Sequence, residues 1–363
     1  MTRLHDLYPE QGQSPWLDNI RRSWIVDGEL ERWVERGVRG LTSNPSIFQK
    51  AIQGSAEYDE EFRAAMAEGL DVREAYWRLV TSDIRSALAV LRPVHDESDG
   101  LDGFVSVEVE PALARQSEAT ERAARALHEQ IAAPNLYVKI PGTSEGLAPI
   151  EQMIAEGRSI NVTLIFSLDR YAQVMEAYLA GLERAEGDLS AISSVASFFI
   201  SRVDGEVDQR LEAIGSPEAL ALRGKAAVAN GRLAYALFQT TFSGPRWDAL
   251  VARGARVQRP LWASTSTKNP AYPDTLYVDE LIGPMTVNTL PDATLVAFED
   301  HGTLARTLDL GVDEARQVMA DLAAVGVDID DVTRVLEDEG VAAFEKAFDE
   351  LLAALTVKAA ELA

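Results

Sequence analysis

"NLYVKIPGTSEG", residues 135–146, sets a lysine inside a run that otherwise reads as a buried strand. Leu136, Val138 and Ile140 alternate with Tyr137, Lys139 and Pro141, the period-two pattern of a strand, and the turn that follows leads into a helical segment at 145–156. On an edge or surface strand a lysine snorkels to water. A closed barrel has no edge strand, so there Lys139 faces the interior. The chain holds only six lysines against twenty-eight arginines.

Outward from this unit, strand-like runs alternate with helical ones along the chain, which predicts a parallel sheet of βα units. Eight strands are expected: 14–20, 39–45, 103–109, 135–141, 159–167, 191–201, 259–264 and 284–291. Helices are expected at 57–67, 72–92, 117–132, 145–156 and 217–241, so the link from the second strand to the third carries an extra helix. The clearest helix is "LDRYAQVMEAYLAGLERA", where Leu168, Tyr171, Met175, Tyr178 and Leu182 recur every three or four residues. After the last strand the sequence is helical, over about 310–360, and Phe344, Phe348, Leu351, Leu352 and Leu355 form one stripe that packs on the body or meets a partner helix.

No fixed-period repeat, low-complexity linker or abrupt change of composition divides residues 1–363, so one domain is expected. The fold class is α/β: a single (β/α)8 barrel with additional helices, whose reactive residues gather at the carboxyl ends of the strands.

Composition narrows the chemistry. A formal net charge of −24 argues against nucleic acid or an anionic membrane surface as partner, and means that an anionic substrate needs a local cationic pocket. The absence of cysteine excludes disulfides, thiol nucleophiles, thiolate metal sites and iron–sulfur clusters. Four scattered histidines (His5, His95, His128, His301) lack metal-ligand spacing, and His128 reads as a surface or packing residue. No metal is expected. Without a P-loop or a GxGxxG after a strand, no nucleotide cofactor is expected either. The start, "MTRLHDLYPEQGQSPW", has no hydrophobic signal core, and no apolar run is long enough to cross a membrane, so a cytoplasmic location is expected.

Polar residues recur at or just after the expected strands: Asp18, Asn44, Glu108, Lys139, Asn161 with Thr163, Ser197 with Arg202, Ser266 with Lys268, and Asn288. Each alone has a turn, cap or core explanation; in a barrel they converge on one mouth. Lys139 is the most pointed. An amine of pKa about 10.4 is almost wholly protonated near neutral pH, so a nucleophilic lysine needs desolvation or nearby positive charge. Its chemistry would be a Schiff base with a ketone, an electron sink that permits cleavage of an adjacent carbon–carbon bond. Asp18 and Glu108 are the candidate proton carriers, with their roles undivided. Arg202, Ser266 and Lys268 lie near strands six and seven, close to where barrels often bind phosphate.

Seven motifs, "WLDN", "GLTSNPSIF", "VSVEV", "LYVKIPGTSEG", "INVTLIFS", "SFFISRVD" and "WASTSTKNPAY", occur in the order found in transaldolases, so nearly the whole chain resembles that family. The resemblance implies a class I aldolase barrel without cofactor, moving a dihydroxyacetone unit from sedoheptulose 7-phosphate to glyceraldehyde 3-phosphate. It implies Lys139 as the Schiff-base residue, Asp18 as the acid/base at carbon–carbon cleavage, and Glu108 with Thr163 holding a proton-shuttling water. Asn44, Asn161 and Ser197 would bind donor hydroxyls, and Arg202, Ser266 and Lys268 the phosphate. Lys268 stands where shorter members have arginine, which replaces a bidentate fork by a point charge; "SFFIS" replaces their Pro and Gly pattern. Both changes fit a longer microbial subfamily. Phe199 stands where short fructose 6-phosphate aldolases carry tyrosine, which favours transfer over free cleavage. The alternatives are such an aldolase, or a sugar-phosphate-binding barrel without catalysis; the partners implied are sugar phosphates, with the chain a monomer or homodimer.

Overall fold

The computed structural model describes residues 2–53 and 55–362. Eight parallel strands close on themselves in sequence order, with β1 paired to β8. They are β1 (Gln13–Leu17), β2 (Leu41–Thr42), β3 (Val105–Glu108), β4 (Leu136–Pro141), β5 (Ile160–Ile165), β6 (Ser194–Phe199), β7 (Arg259–Ala263) and β8 (Thr286–Leu290). Every strand lies inside the segment expected for it apart from Gln13, one residue early, and every strand is shorter than that segment. Asp18 thus stands just past β1, and β2 keeps only two residues. Strand β5 has a register irregularity between Val162 and Ile165, where Leu164 takes φ 59°, a left-handed conformation rare outside glycine.

The helices depart further from expectation. The segment 217–241 is two helices, Pro217–Leu220 and Ala226–Thr241, parted at Gly224, whose φ is 70°. The helix expected at 72–92 runs Val72–Glu97 and carries Pro93 inside it; a capping box of Asp71 and Glu74 starts it. Between β2 and β3 there are three helices, Pro45–Gln53, Asp59–Ala67 and Val72–Glu97. Arg3–Gln11, Ser201–Ile214 and Asp292–His301 are also helical, without having been expected. The tail forms Val312–Ala324 and the 34-residue helix Ile329–Leu362. This last helix packs on its own barrel: Phe344, Phe348, Leu351 and Leu355 are buried, Leu352 is half-buried, and Phe348 meets Tyr76 edge to face at 5.4 Å. No described helix is long and apolar enough to cross a membrane.

The barrel interior is filled from below. At its floor Asp102 accepts hydrogen bonds from Ser14 Oγ (2.7 Å), Trp16 Nε1 (3.1 Å), Arg39 Nε (2.7 Å) and Arg259 Nη2 (2.9 Å). Burial alone would push the Asp102 carboxyl up, but Arg259 and Arg39 outweigh it and hold it below the ordinary carboxylate range. Above this cluster Tyr137 stacks on Phe104 with centroids 4.0 Å apart and on Trp16 at 6.0 Å. Gly40 makes room for that layer, since a Cβ there would sit 2.4 Å from the Trp16 ring. Two residues on from Tyr137, Lys139 begins the polar upper layer.

Removing Asp102 strands the buried Arg259 charge. Asp102→Ala is expected to cost about 3–5 kcal/mol by denaturant titration. Because the folded Asp102 value is depressed, its stabilisation is present above the unfolded value near pH ~3.9 and disappears as pH falls through the folded one. The stability gap between wild type and Asp102→Asn should therefore close on acidification.

Candidate active site

Strand register sets three functional side chains abreast: Glu108 on β3 pairs with Lys139 on β4, which pairs with Asn161 on β5. Lys139 is 5% exposed. Its Nζ donates to Glu108 Oε2 at 3.0 Å and to the Ser43 carbonyl at 3.1 Å. Burial pushes the Glu108 carboxyl above its ordinary value, with Lys139 pulling the other way. A carboxylate raised in this way is a better acceptor for the lysine's proton. Asn161 is held in the wall, accepting from Ser197 Oγ (2.7 Å) and donating to Ser106 Oγ (3.0 Å). Glu108 Oε1 and Thr163 Oγ1 are buried without a hydrogen-bond partner among the described residues. Such groups cost about 1–3 kcal/mol unsatisfied, so both are set to receive a water or a substrate hydroxyl. The loop after β4 turns back so tightly that a Cβ at Gly146 would lie 1.9 Å from the Pro141 carbonyl oxygen, which explains the glycine closing "GTSEG".

Asp18 sits across the mouth. Thr42 Oγ1 donates to Asp18 Oδ1 at 2.8 Å and shares a 2.6 Å bond with Thr289 Oγ1. Burial pushes the Asp18 carboxyl up; the Thr42 bond and the charges of Lys139, Lys268 and Arg202 partly counter it. Two carboxyl groups with raised values therefore face one amine, an arrangement suited to moving protons at neutral pH.

The cations form the third group. Arg202 opens the helix Ser201–Ile214 and has no carboxylate within 4.0 Å among the described residues. Its guanidinium lies between two aromatic rings, 5.0 Å from the Phe199 centroid and 5.9 Å from that of Phe344. The C-terminal helix comes this close because residue 340 is glycine: a Cβ there would reach 3.0 Å from Leu164 Cδ2 and 3.6 Å from Arg202 Nη1. Lys268 Nζ donates to Ser266 Oγ at 2.6 Å. Burial, then Arg202, lowers the Lys268 value.

These residues enclose a cavity of about 130 Å³ that opens into a vestibule of about 720 Å³; Asp18, Asn44, Arg202, Lys268, Pro291 and Phe344 line both. The inner space alone is below the usual 300–1,000 Å³ of a ligand site, so a bound molecule the size of a sugar phosphate extends into the vestibule. Of the residues singled out from the sequence, Asp18, Asn44, Lys139, Thr163, Ser197, Phe199, Arg202, Ser266 and Lys268 line the inner cavity, while Glu108 and Asn161 do not line it and stand beside Lys139 as its partners on the adjoining strands. Asn44 also keeps a capping role, its Oδ1 accepting from the Ile47 amide at 3.0 Å.

Asn288 is turned away altogether. It does not line the cavity; its Oδ1 accepts from Thr265 Oγ1 at 2.9 Å, and its neighbour Thr289 lines the cavity instead, because successive strand residues face opposite ways. Lys139 has the burial expected of it, but its closest charged neighbour is a carboxylate and not the positive charge given as the other route. Thr42, Thr289 and Phe344 were missed as site residues. Thr42 lies within the quoted "GLTSNPSIF", so the pattern could have found it, whereas Phe344 read only as part of an apolar stripe.

The Thr42 bond lowers the Asp18 value, so Thr42→Val is expected to raise it further. A carboxyl NMR titration of Asp18 checks this, and an unmoved or lower midpoint contradicts it.

Comparison with known proteins agrees with this geometry. The sequence matches the family described as Transaldolase/Fructose-6-phosphate aldolase over residues 15–355. It is 54% identical over 346 residues to "Transaldolase" of Parafrankia sp. (strain EAN1pec), covering 94% of each chain. To "Transaldolase" of Acidothermus cellulolyticus it is 53% identical, covering 95% of this chain and 94% of the relative. "Transaldolase" of Thermobifida fusca is likewise 53% identical, with 94% of this chain and 95% of the relative covered. A closed eight-stranded barrel bearing a buried lysine at its mouth and this similarity end to end lead to one conclusion: the chain belongs to the transaldolase/fructose-6-phosphate aldolase family.

Proposed function

We propose that the chain is a transaldolase, a transferase that carries a three-carbon dihydroxyacetone unit on Lys139 from a ketose phosphate to an aldose phosphate. The observation that carries the reading is the buried amine of Lys139, 3.0 Å from Glu108, opening on a cavity rimmed by Arg202 and Lys268.

The reaction follows from those groups. Lys139 passes its proton to Glu108 and attacks the C2 carbonyl of sedoheptulose 7-phosphate. The carbinolamine loses its hydroxyl as water, with Glu108 returning a proton through a molecule held against Thr163, and an iminium forms. Asp18 then takes the proton of the C4 hydroxyl; the C3–C4 bond breaks, its electron pair flows into the iminium, and erythrose 4-phosphate leaves. The enamine left on Lys139 attacks the aldehyde carbon of glyceraldehyde 3-phosphate, and Asp18 gives its proton to the new alkoxide. Water adds to the iminium and releases fructose 6-phosphate, restoring the amine. Asn44, Asn161 and Ser197 hold the hydroxyls of the carried unit, while Arg202, Ser266 and Lys268 take the phosphate. Each partner is a small sugar phosphate, no cofactor enters the scheme, and the reading places the protein in the cytoplasm as one barrel domain, alone or as a homodimer.

Phe199 favours transfer over release. An apolar ring beside the enamine offers no hydroxyl to deliver a proton or organise water, so the carried unit awaits an aldehyde. This distinguishes the proposal from a simple aldolase, which would release dihydroxyacetone whether or not an aldose phosphate is present.

Borohydride added to the protein with fructose 6-phosphate is expected to leave a dihydroxyacetone-sized adduct on Lys139, located by peptide mass. Its absence from folded, substrate-bound protein would sink the mechanism. Lys139→Ala should abolish turnover with the fold kept, and Asp18→Asn should lower kcat by about 10²–10⁴-fold. Phe199→Tyr should raise cleavage without acceptor relative to transfer; an unchanged ratio counts against the role given to Phe199.

A further inference from the structure

The vestibule is larger than the catalytic cavity and carries charge that the mechanism above does not use. Its wall includes Arg21, Arg22, Lys50, Arg202 and Lys268. Arg22 is consumed by structure: its Nη2 sits 2.7 Å from Asp83 and 2.8 Å from Glu61, and Tyr58 donates to the same aspartate at 2.8 Å. Arg21 and Lys50 are different. Both are exposed, and among the described residues neither has a carboxylate within 4.0 Å. Arg21 follows β1 and rests its guanidinium over the Trp24 ring at 4.9 Å, a contact that fixes the side chain without neutralising it. Lys50 projects from the last turn of the helix Pro45–Gln53, whose start Asn44 caps.

Most arginines of this acidic chain are bound to carboxylates, so unpaired cations gathered around one opening need a reason. At a net charge of −24 the protein as a whole repels phosphate dianions, and beyond about 8–10 Å in physiological salt that repulsion is screened. Local charge at the entrance then decides capture. The vestibule also carries carboxylates, Asp18, Glu57 and Asp292. Asp18 is bonded to Thr42 and Asp292 receives a 3.3 Å bond from Asn19, so both are partly spoken for. The charge of Lys50 is felt at Lys268, a like-charge repulsion that an arriving dianion would relieve.

We propose that Arg21 and Lys50 form an outer phosphate-docking subsite, which takes the phosphate monoester of an incoming sugar before it passes to Arg202 and Lys268. The inference rests on the transaldolase reading. The two-step reaction gives such a subsite a purpose: the first aldose phosphate must leave and the second enter through the same vestibule while the enamine waits on Lys139. An outer cationic station shortens that wait by raising the rate of encounter. It acts on kcat/KM and leaves the bond-making steps alone.

The test is the double variant Arg21→Gln/Lys50→Gln, assayed from low to high sodium chloride with sedoheptulose 7-phosphate as donor and either glyceraldehyde 3-phosphate or unphosphorylated glyceraldehyde as acceptor. For the phosphorylated acceptor, kcat/KM is expected to fall about tenfold at low salt, with a shallower dependence on salt and kcat nearly unchanged. Glyceraldehyde should react as with wild type, and Arg21→Lys/Lys50→Arg should restore the salt dependence. An unchanged kcat/KM and salt slope, or an equal loss with both acceptors, overturns the subsite while transfer by the wild type keeps the transaldolase reading. Wild-type protein that transfers to neither acceptor ends that reading, and this inference with it.

Discussion

The pairing of Lys139 with Glu108 inside a closed barrel governs the arrangement of the rest of the site. An ammonium and a carboxylate at 3.0 Å are each costly to bury alone, and together they hold one another in place. The price of that pair is met by a barrel whose lower half is packed with Trp16, Tyr137 and the Asp102 cluster. With the floor filled, the cavity that holds Lys139 lies at the carboxyl ends of the strands. Burial that raises Glu108 also readies it to take the lysine's proton, so the same desolvation that threatens stability supplies reactivity.

Charge is organised in layers around this centre. The exposed surface is strongly acidic and many of its arginines are tied into ion pairs, such as Arg246 with Glu176 and Glu183. The mouth instead keeps Arg202 and Lys268 out of ion pairs among the described residues, and the vestibule adds Arg21 and Lys50. Isolated surface ion pairs add little stability; here four cations outside such pairs, Arg21, Lys50, Arg202 and Lys268, line the opening where an anion enters.

The C-terminal helix Ile329–Leu362 joins the site to the periphery. Its apolar stripe covers the helices between β2 and β3, and the same stripe carries Phe344 over Arg202. Gly340 allows the approach, and the left-handed Leu164 in the irregular β5 meets it from below. Strained backbone at Ser264, which lines the cavity, and at Leu164, next in sequence to the cavity residue Thr163, is of the kind that persists where surrounding packing over-determines a functional geometry.

Much of this was legible in the chain itself. Period-two alternation placed Lys139 on the inner face, eight βα units implied closure, and the polar residues at strand ends named most of the cavity wall, because a barrel converts sequence position along a strand directly into depth and side. The motifs supplied the family. What alternation could not decide was which of the two faces of a short strand points inward, which is why Thr289 and not Asn288, both inside β8, reaches the cavity. Helices lacking a long apolar period, such as Pro45–Gln53 and Ser201–Ile214, also escaped notice. Long-range contacts were the remaining gap: that Phe344 roofs Arg202, that Thr42 bonds Asp18, and that Glu108 is the partner of Lys139 are relations between residues far apart in the chain. Such distances are set only when the strands close and the last helix docks, since they depend on how volume is filled in three dimensions and not on local preference.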